Sequence, residues 1–155
     1  MAEIQLALEL DPLNGWFQAI HGDDLVFLGR DDEAMIQYHK VLRTSSGLLF
    51  AHGGLSGILF RKAKYEESLA KMKAYYTGDH EMEEALTQGY TQSGYRGAMR
   101  RAADILAARA RKTYVGPTDV AGLYAVCMGR GKRPSPRMAR ERSGGARSKR
   151  APIQS

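Results

Sequence analysis

The residues of this chain that could do chemistry are few and badly spaced for it. Its four histidines are His21, His39, His52 and His80, and no two stand at metal-ligand spacing on one helix face. His80-Glu81 begins like a zinc-protease motif, but the position that needs the second histidine is Glu84. Asp23-Asp24 and Asp31-Asp32 offer paired carboxylates, yet acids at the start of a helix are ordinary partners of its dipole, and Asp31 reads as a helix cap. Cys127 is the only cysteine, has no evident base and sits between Val126 and Met128, as a core thiol would. Gly53-Gly54 with Gly57 lacks the Gly-Lys-Ser/Thr of a phosphate loop, and Gly129-Arg130-Gly131-Lys132 is followed by Arg133 where a hydroxyl is needed. The expectation is no catalytic residue, no metal, no cofactor and no small-molecule substrate.

The elements that would position a binding surface instead are helices. Asp11-Pro12 stops a first helix ending at Leu10, with Ile4, Leu6, Leu8 and Leu10 expected on its apolar side. Asn14 caps a helix over about Gly15 to Leu28, and Gly29 closes it in a left-handed conformation. A helix beginning at Asp31 carries Ala34, Met35, Tyr38, Val41 and Leu42 on one face. The cycle returns after Ser45-Ser46-Gly47, with helices at Leu49 to Phe60 and Tyr65 to Tyr76; in the latter, Leu69, Met72, Tyr75 and Tyr76 face inward. Asp79 caps the next, Glu81 to Gln92, followed by Tyr95 to Arg111 and, opened by Pro117, Asp119 to Met128.

These helices echo one another at a period of about 34 residues, which belongs to paired-helix repeats. Leu8 matches Leu42, Leu25 matches Leu59 and Glu33 matches Glu67; in step with them stand Gly22 and Ser56, Gly29 and Ala63, Ala34 and Ser68, Tyr38 and Met72. The pattern resembles tetratricopeptide repeats, carried in one unit by Gly22, Leu25, Gly29, Ala34 and Tyr38. In the next it is carried by Leu55, Leu59, Tyr65 and Met72, with Ser56 and Ser68 at the small positions. A third unit is degenerate, because Gly89 and Gly94 stand too close together. The run Thr113 to Ala121 with Leu123-Tyr124-Ala125 is similar to the last segment of bacterial tetratricopeptide regions fused behind winged-helix, cyclase or kinase domains. The resemblance implies an all-α fold over residues 2–129, a superhelical stack of antiparallel helix pairs.

By the same resemblance, the first helix of each pair lines a concave groove. Trp16, Ala19, Asp23 and Phe27 would come from one unit, and Phe50, Gly53, Gly57 and Arg61 from the next. Such a groove would take an extended peptide or a partner helix. Trp16 and Phe50 have a plainer reading too, as rings packed on neighbours or on an absent upstream helix. Carboxylate-clamping subfamilies use Lys and Asn where this chain has Ala19, Asp23, Gly53 and Gly57, so that role is disfavoured.

Composition sets the remaining bounds. The 155 residues carry a net charge of +6, but from Gly131 onward eight basic residues face Glu141 alone, so the rest is nearly neutral. Residues 130–155 lack aromatics and are dense in Arg, Lys, Ser, Gly and Pro, and they read as a disordered basic tail. A tail of this kind contacts RNA or DNA only weakly and without base specificity, which makes a basic-tailed nucleic-acid accessory protein the alternative function. The tail also stands where the resembled group has a closing helix with Trp-Leu-Glu. Met138-Ala139 requires the codons ATG-GCN, which contain a Trp codon one nucleotide out of frame, so the tail reads as a frameshift product or a gene-model artefact. Resequencing the gene tests this; absence of a Trp-Leu-Glu helix in that frame would refute it. The chain likewise reads as opening on the second helix of a repeat, as a surviving part of a larger regulator would. No signal peptide or membrane-length apolar run is present, and the lone cysteine suits the cytoplasm.

Overall fold

A computed structural model describes residues 2–128, and within them every regular element is an α-helix. The helices are α1 (Ala2–Leu10), α2 (Gly15–Phe27), α3 (Asp31–Thr44), α4 (Leu49–Arg61), α5 (Tyr65–Tyr75), α6 (His80–Arg109) and α7 (Pro117–Cys127). None is long and apolar enough to cross a membrane. The expected tail over 130–155 lies outside the described residues, as does its origin.

Two of the expected N-terminal caps form. The Asn14 carboxamide oxygen accepts from the amides of Trp16 and Phe17, satisfying donors that open a helix. Asp79 does the same for Met82. Asp31 does not cap: it is the first residue of α3, behind Arg30, and its carboxylate turns across to Arg61 instead. Leu6 and Leu10 are exposed rather than apolar-side residues, because alternate positions of a helix point to different faces; Ile4 and Leu8, four apart, share the half-buried one.

The repeat is visible in the backbone. α2 starts at Gly15 and α4 at Leu49; α3 starts at Asp31 and α5 at Tyr65, each pair offset by 34 positions. Both first helices end in the same turn. Gly29 at φ 75° and Ala63 at φ 59° each sit in the left-handed region. The following amides then reach back to the same relative carbonyls, Arg30 to Leu25 and Lys64 to Leu59, each at 2.9 Å. Glycine adopts this turn freely, whereas Ala63 holds it against its own Cβ.

α2 packs on α3, α4 on α5 and α6 on α7, with α3 against α4 and α5 against α6 joining the pairs. Two apolar cores result. The N-terminal one is built on Tyr38, Leu55, Ile58 and Val41; the C-terminal one on Met82, Leu86, Met99, Leu106 and Leu123. α6 is two segments broken at Ser93 and Gly94, where Gly94 takes φ 65°. The segments approach so closely that a Cβ on Gly89 would lie 2.7 Å from the Ala98 Cα. This places the turn where the expected helices Glu81 to Gln92 and Tyr95 to Arg111 meet.

Candidate functional site

Small residues decide where the surface of this fold opens. In the N-terminal core they are filled: the fully buried Tyr38 ring lies between α2 and α4, so that a Cβ on Gly22 would come within 2.6 Å of it and one on Gly54 would overlap it. The Tyr38 hydroxyl donates to Asp23, and burial together with that carboxylate pushes the phenol far above its ordinary range. Asp23 in turn is pushed up by burial, with Asp24 adding to the rise and the Tyr38 hydrogen bond opposing it.

One unit later the fill is different. Ser56 and Ser68 replace Gly22 and Ala34, and the two buried hydroxyl oxygens lie 3.0 Å apart. Ser56 donates to the Ser68 carbonyl at 2.9 Å and Ser68 to the Ser56 carbonyl at 2.8 Å, so neither polar side chain is left unpaired. The Tyr95 hydroxyl joins them at 2.6 Å from Ser68 Oγ, and its ring stacks on Phe60 with centroids 5.4 Å apart. Met72 stands where Tyr38 stands in the preceding unit and does not close the space in front of it.

The result is an open cavity of about 370 Å³ lined by five helices. α4 supplies Phe50, Gly53, Gly54, Ser56, Gly57 and Phe60, and α5 supplies Met72 and Tyr75, with Tyr76 just beyond its end. Tyr95 and Met99 come from the second segment of α6, Thr118, Asp119, Gly122, Leu123 and Val126 from α7, and Asp23 from α2. Phe50, Gly53, Gly57 and Phe60 recur at helical spacing and so share one face of α4; Asp119, Gly122, Leu123 and Val126 do the same on α7. A Cβ on Gly122 would meet nothing within 4 Å, and one on Gly57 would meet only an Arg61 nitrogen, at 3.8 Å. Tyr75 and Tyr76 meet edge to face, centroids 4.8 Å apart. Burial raises both phenols, so their hydroxyls stay protonated and able to donate at neutral pH.

Of the eight expected groove residues, Asp23, Phe50, Gly53 and Gly57 line this cavity. Trp16 is half exposed beside it, packed on Phe50 at 5.2 Å between centroids, so the two rings cover each other. Phe27 lies exposed at the last turn of α2. Ala19 is a correction: it is wholly buried in the N-terminal core, where close approach of α2 to its neighbours leaves it no groove surface. Arg61 lies beside Gly57, its guanidinium held in a fork by Asp31, Nη2 to Oδ1 at 2.6 Å and Nε to Oδ2 at 3.0 Å, joining α4 to α3. Tyr75, Tyr76, Tyr95, Asp119 and Gly122 are among the cavity residues that the repeat pattern alone did not assign to a groove. A glycine amid the apolar residues of the last helix was their one local signal.

Among the described residues, no group of three His, Cys, Asp or Glu side chains could hold a metal ion. Cys127 is half-buried rather than a fully buried core thiol, and its Sγ donates to the Tyr124 carbonyl at 3.1 Å. Compared with family models, with curated proteins and with solved structures, the chain matches none.

Proposed function

We propose that this chain is a non-catalytic protein–protein interaction module, a tetratricopeptide-like scaffold or the sensor part of a bacterial regulator acting in the cytoplasm. The cavity between α4 and α7 carries the reading. It is open, walled mainly by aromatic rings and glycines, and joins the end of the helical array to its middle. Concave apolar sites with a few polar groups are where extended peptides and side chains are taken up. The offset of 34 positions between successive helix pairs and their shared left-handed turns support the tetratricopeptide-like superhelix as the scaffold.

Selection of peptides from a random library on the full chain tests this. Enriched peptides should lose affinity about tenfold or more on Phe50→Ala, as interface aromatics do. They should bind unchanged when residues 130–155 are removed. Salt-sensitive binding of RNA or DNA that disappears with that deletion, and no peptide enrichment, would favour the nucleic-acid accessory role instead.

A further inference from the structure

We propose that the cavity receives a cationic side chain, foremost an arginine, from an extended basic peptide of a partner protein; this rests on the peptide-binding reading above. Two carboxylates, Asp23 from α2 and Asp119 from α7, line the cavity, and no Lys, Arg or His does so among the described residues. Two guanidinium groups that act on this region, Arg61 beside Gly57 and Arg109 near Tyr76, are already paired with carboxylates. Arg61 pairs with Asp31, and Arg109 pairs with Asp79 and with Glu81 at 2.5 Å. Asp119 makes no ion pair among the described residues, and its carboxylate sits at the exposed start of α7. Asp23 is already hydrogen-bonded by Tyr38, so the exposed Asp119 is the carboxylate most free to meet a cation, and no cation lines the site among the described residues.

The walls favour the same ligand. Phe50, Phe60, Tyr75, Tyr76 and Tyr95 bring aromatic rings to the cavity. Ring faces carry the negative end of the aromatic quadrupole and attract a cation placed over them. A planar guanidinium can stack on such a ring and still direct its N–H groups at a carboxylate, which a compact ammonium does less well. A phosphate or an acidic peptide would meet repulsion from both carboxylates. Size sets the occupant further: about 370 Å³ is near the lower end of ligand pockets, enough for one long side chain and its backbone but not for a helix.

The probe is Nα-acetyl-arginine amide, titrated into the ¹⁵N-labelled full chain, with Nα-acetyl-citrulline amide as the uncharged isostere. Saturable shifts at the Gly53, Gly57 and Gly122 amides are expected, with the citrulline compound at least about fivefold weaker, as loss of a cation–π and charge contact implies. Asp119→Asn, an exposed substitution that leaves the core untouched, should weaken the arginine probe by a similar factor. Equal response to both probes, or no change on Asp119→Asn, would overturn the proposal. If peptide selection enriches sequences without basic residues and Gly122→Leu blocks them, peptide binding stands and the cationic assignment falls. If nothing is enriched and no probe shifts the cavity, both fall. Cavity resonances that move when the eight basic residues from Gly131 onward are changed to Gln, with no probe added, would place the chain's own segment there and refute a partner peptide.

Discussion

Two successive helix pairs share a period and end in the same turns, yet one is sealed and the other is open. Around α2, α3 and α4 the Tyr38 ring fills the space left by Gly22 and Gly54. Around α4, α5 and α7, Ser56 stands for Gly22 and Ser68 for Ala34, Met72 replaces the tyrosine, a Cβ on Gly122 would face empty space, and one on Gly57 would meet only the Arg61 guanidinium at 3.8 Å. The backbone plan is the same; the side chains decide whether a glycine is a socket or a window. Where the filler is absent, the surface opens into the cavity.

The sealed unit should be the most sensitive. Tyr38→Ala removes a fully buried ring and should lower unfolding free energy by about 3–5 kcal/mol in denaturant melts. A loss below about 1 kcal/mol would mean that the ring does not seal this core. Next comes the serine pair that supports the open unit. Ser68→Ala removes a buried hydroxyl bonded to Ser56 and Tyr95 and should cost about 1–3 kcal/mol. Gly122→Leu and Gly57→Ala sharpen the contrast from the other side, because a Cβ at Gly122 meets nothing within 4 Å and one at Gly57 makes only an ordinary contact, 3.8 Å from an Arg61 nitrogen. Chemical denaturation should show Gly57→Ala neutral or stabilising by up to about 1 kcal/mol, whereas Gly22→Ala, aimed at the Tyr38 ring, should destabilise by about 1–3 kcal/mol. Equal effects at the two glycines would erase the distinction between socket and window.

Titration separates the units less strongly. Burial holds the Tyr38, Tyr75, Tyr76 and Tyr95 phenols above their ordinary value of 10.0. Below that value the folded and unfolded chains bind these protons equally. Above it the unfolded chain loses them first, so stability should fall as pH rises beyond about 10. A Tyr38→Phe variant should flatten that alkaline slope, followed by thermal melts across pH 9 to 11.5. At the acid end the Arg109 hydrogen bonds hold the Asp79 carboxyl below its ordinary 3.8. Its contribution is present above that value and is lost as pH falls past it, and Asp79→Asn should reduce the acid sensitivity. The smallest effect expected is at Ala63: glycine there relieves a left-handed alanine at φ 59° and should change the melting free energy by no more than about 1 kcal/mol.

Local chemistry was legible in the sequence. Asn14, Gly29 and Asp79 end or begin helices through contacts a few residues away, so their types and positions announced them. Ala63 would not have been read as a left-handed residue by itself; only its place one period after Gly29 marks it. What failed was tertiary. Ala19 stands at a groove position by period, but its burial depends on neighbouring helices, as does the Asp31 partner that Arg61 finds on α3. The cavity was half visible for the same reason. Phe50, Gly53 and Gly57 lie on one helix, while Tyr95, Asp119 and Gly122 arrive from helices whose approach is set by the break at Ser93 and Gly94.

The central claim, that the open unit is a binding site, is tested most directly by the affinity of a library-selected peptide for the full chain and for Gly122→Leu. The account predicts that the leucine fills the cavity, leaves the melting temperature within a few degrees of the parent and weakens the peptide about tenfold or more. Unchanged affinity in a folded Gly122→Leu chain would place peptide binding elsewhere and contradict it.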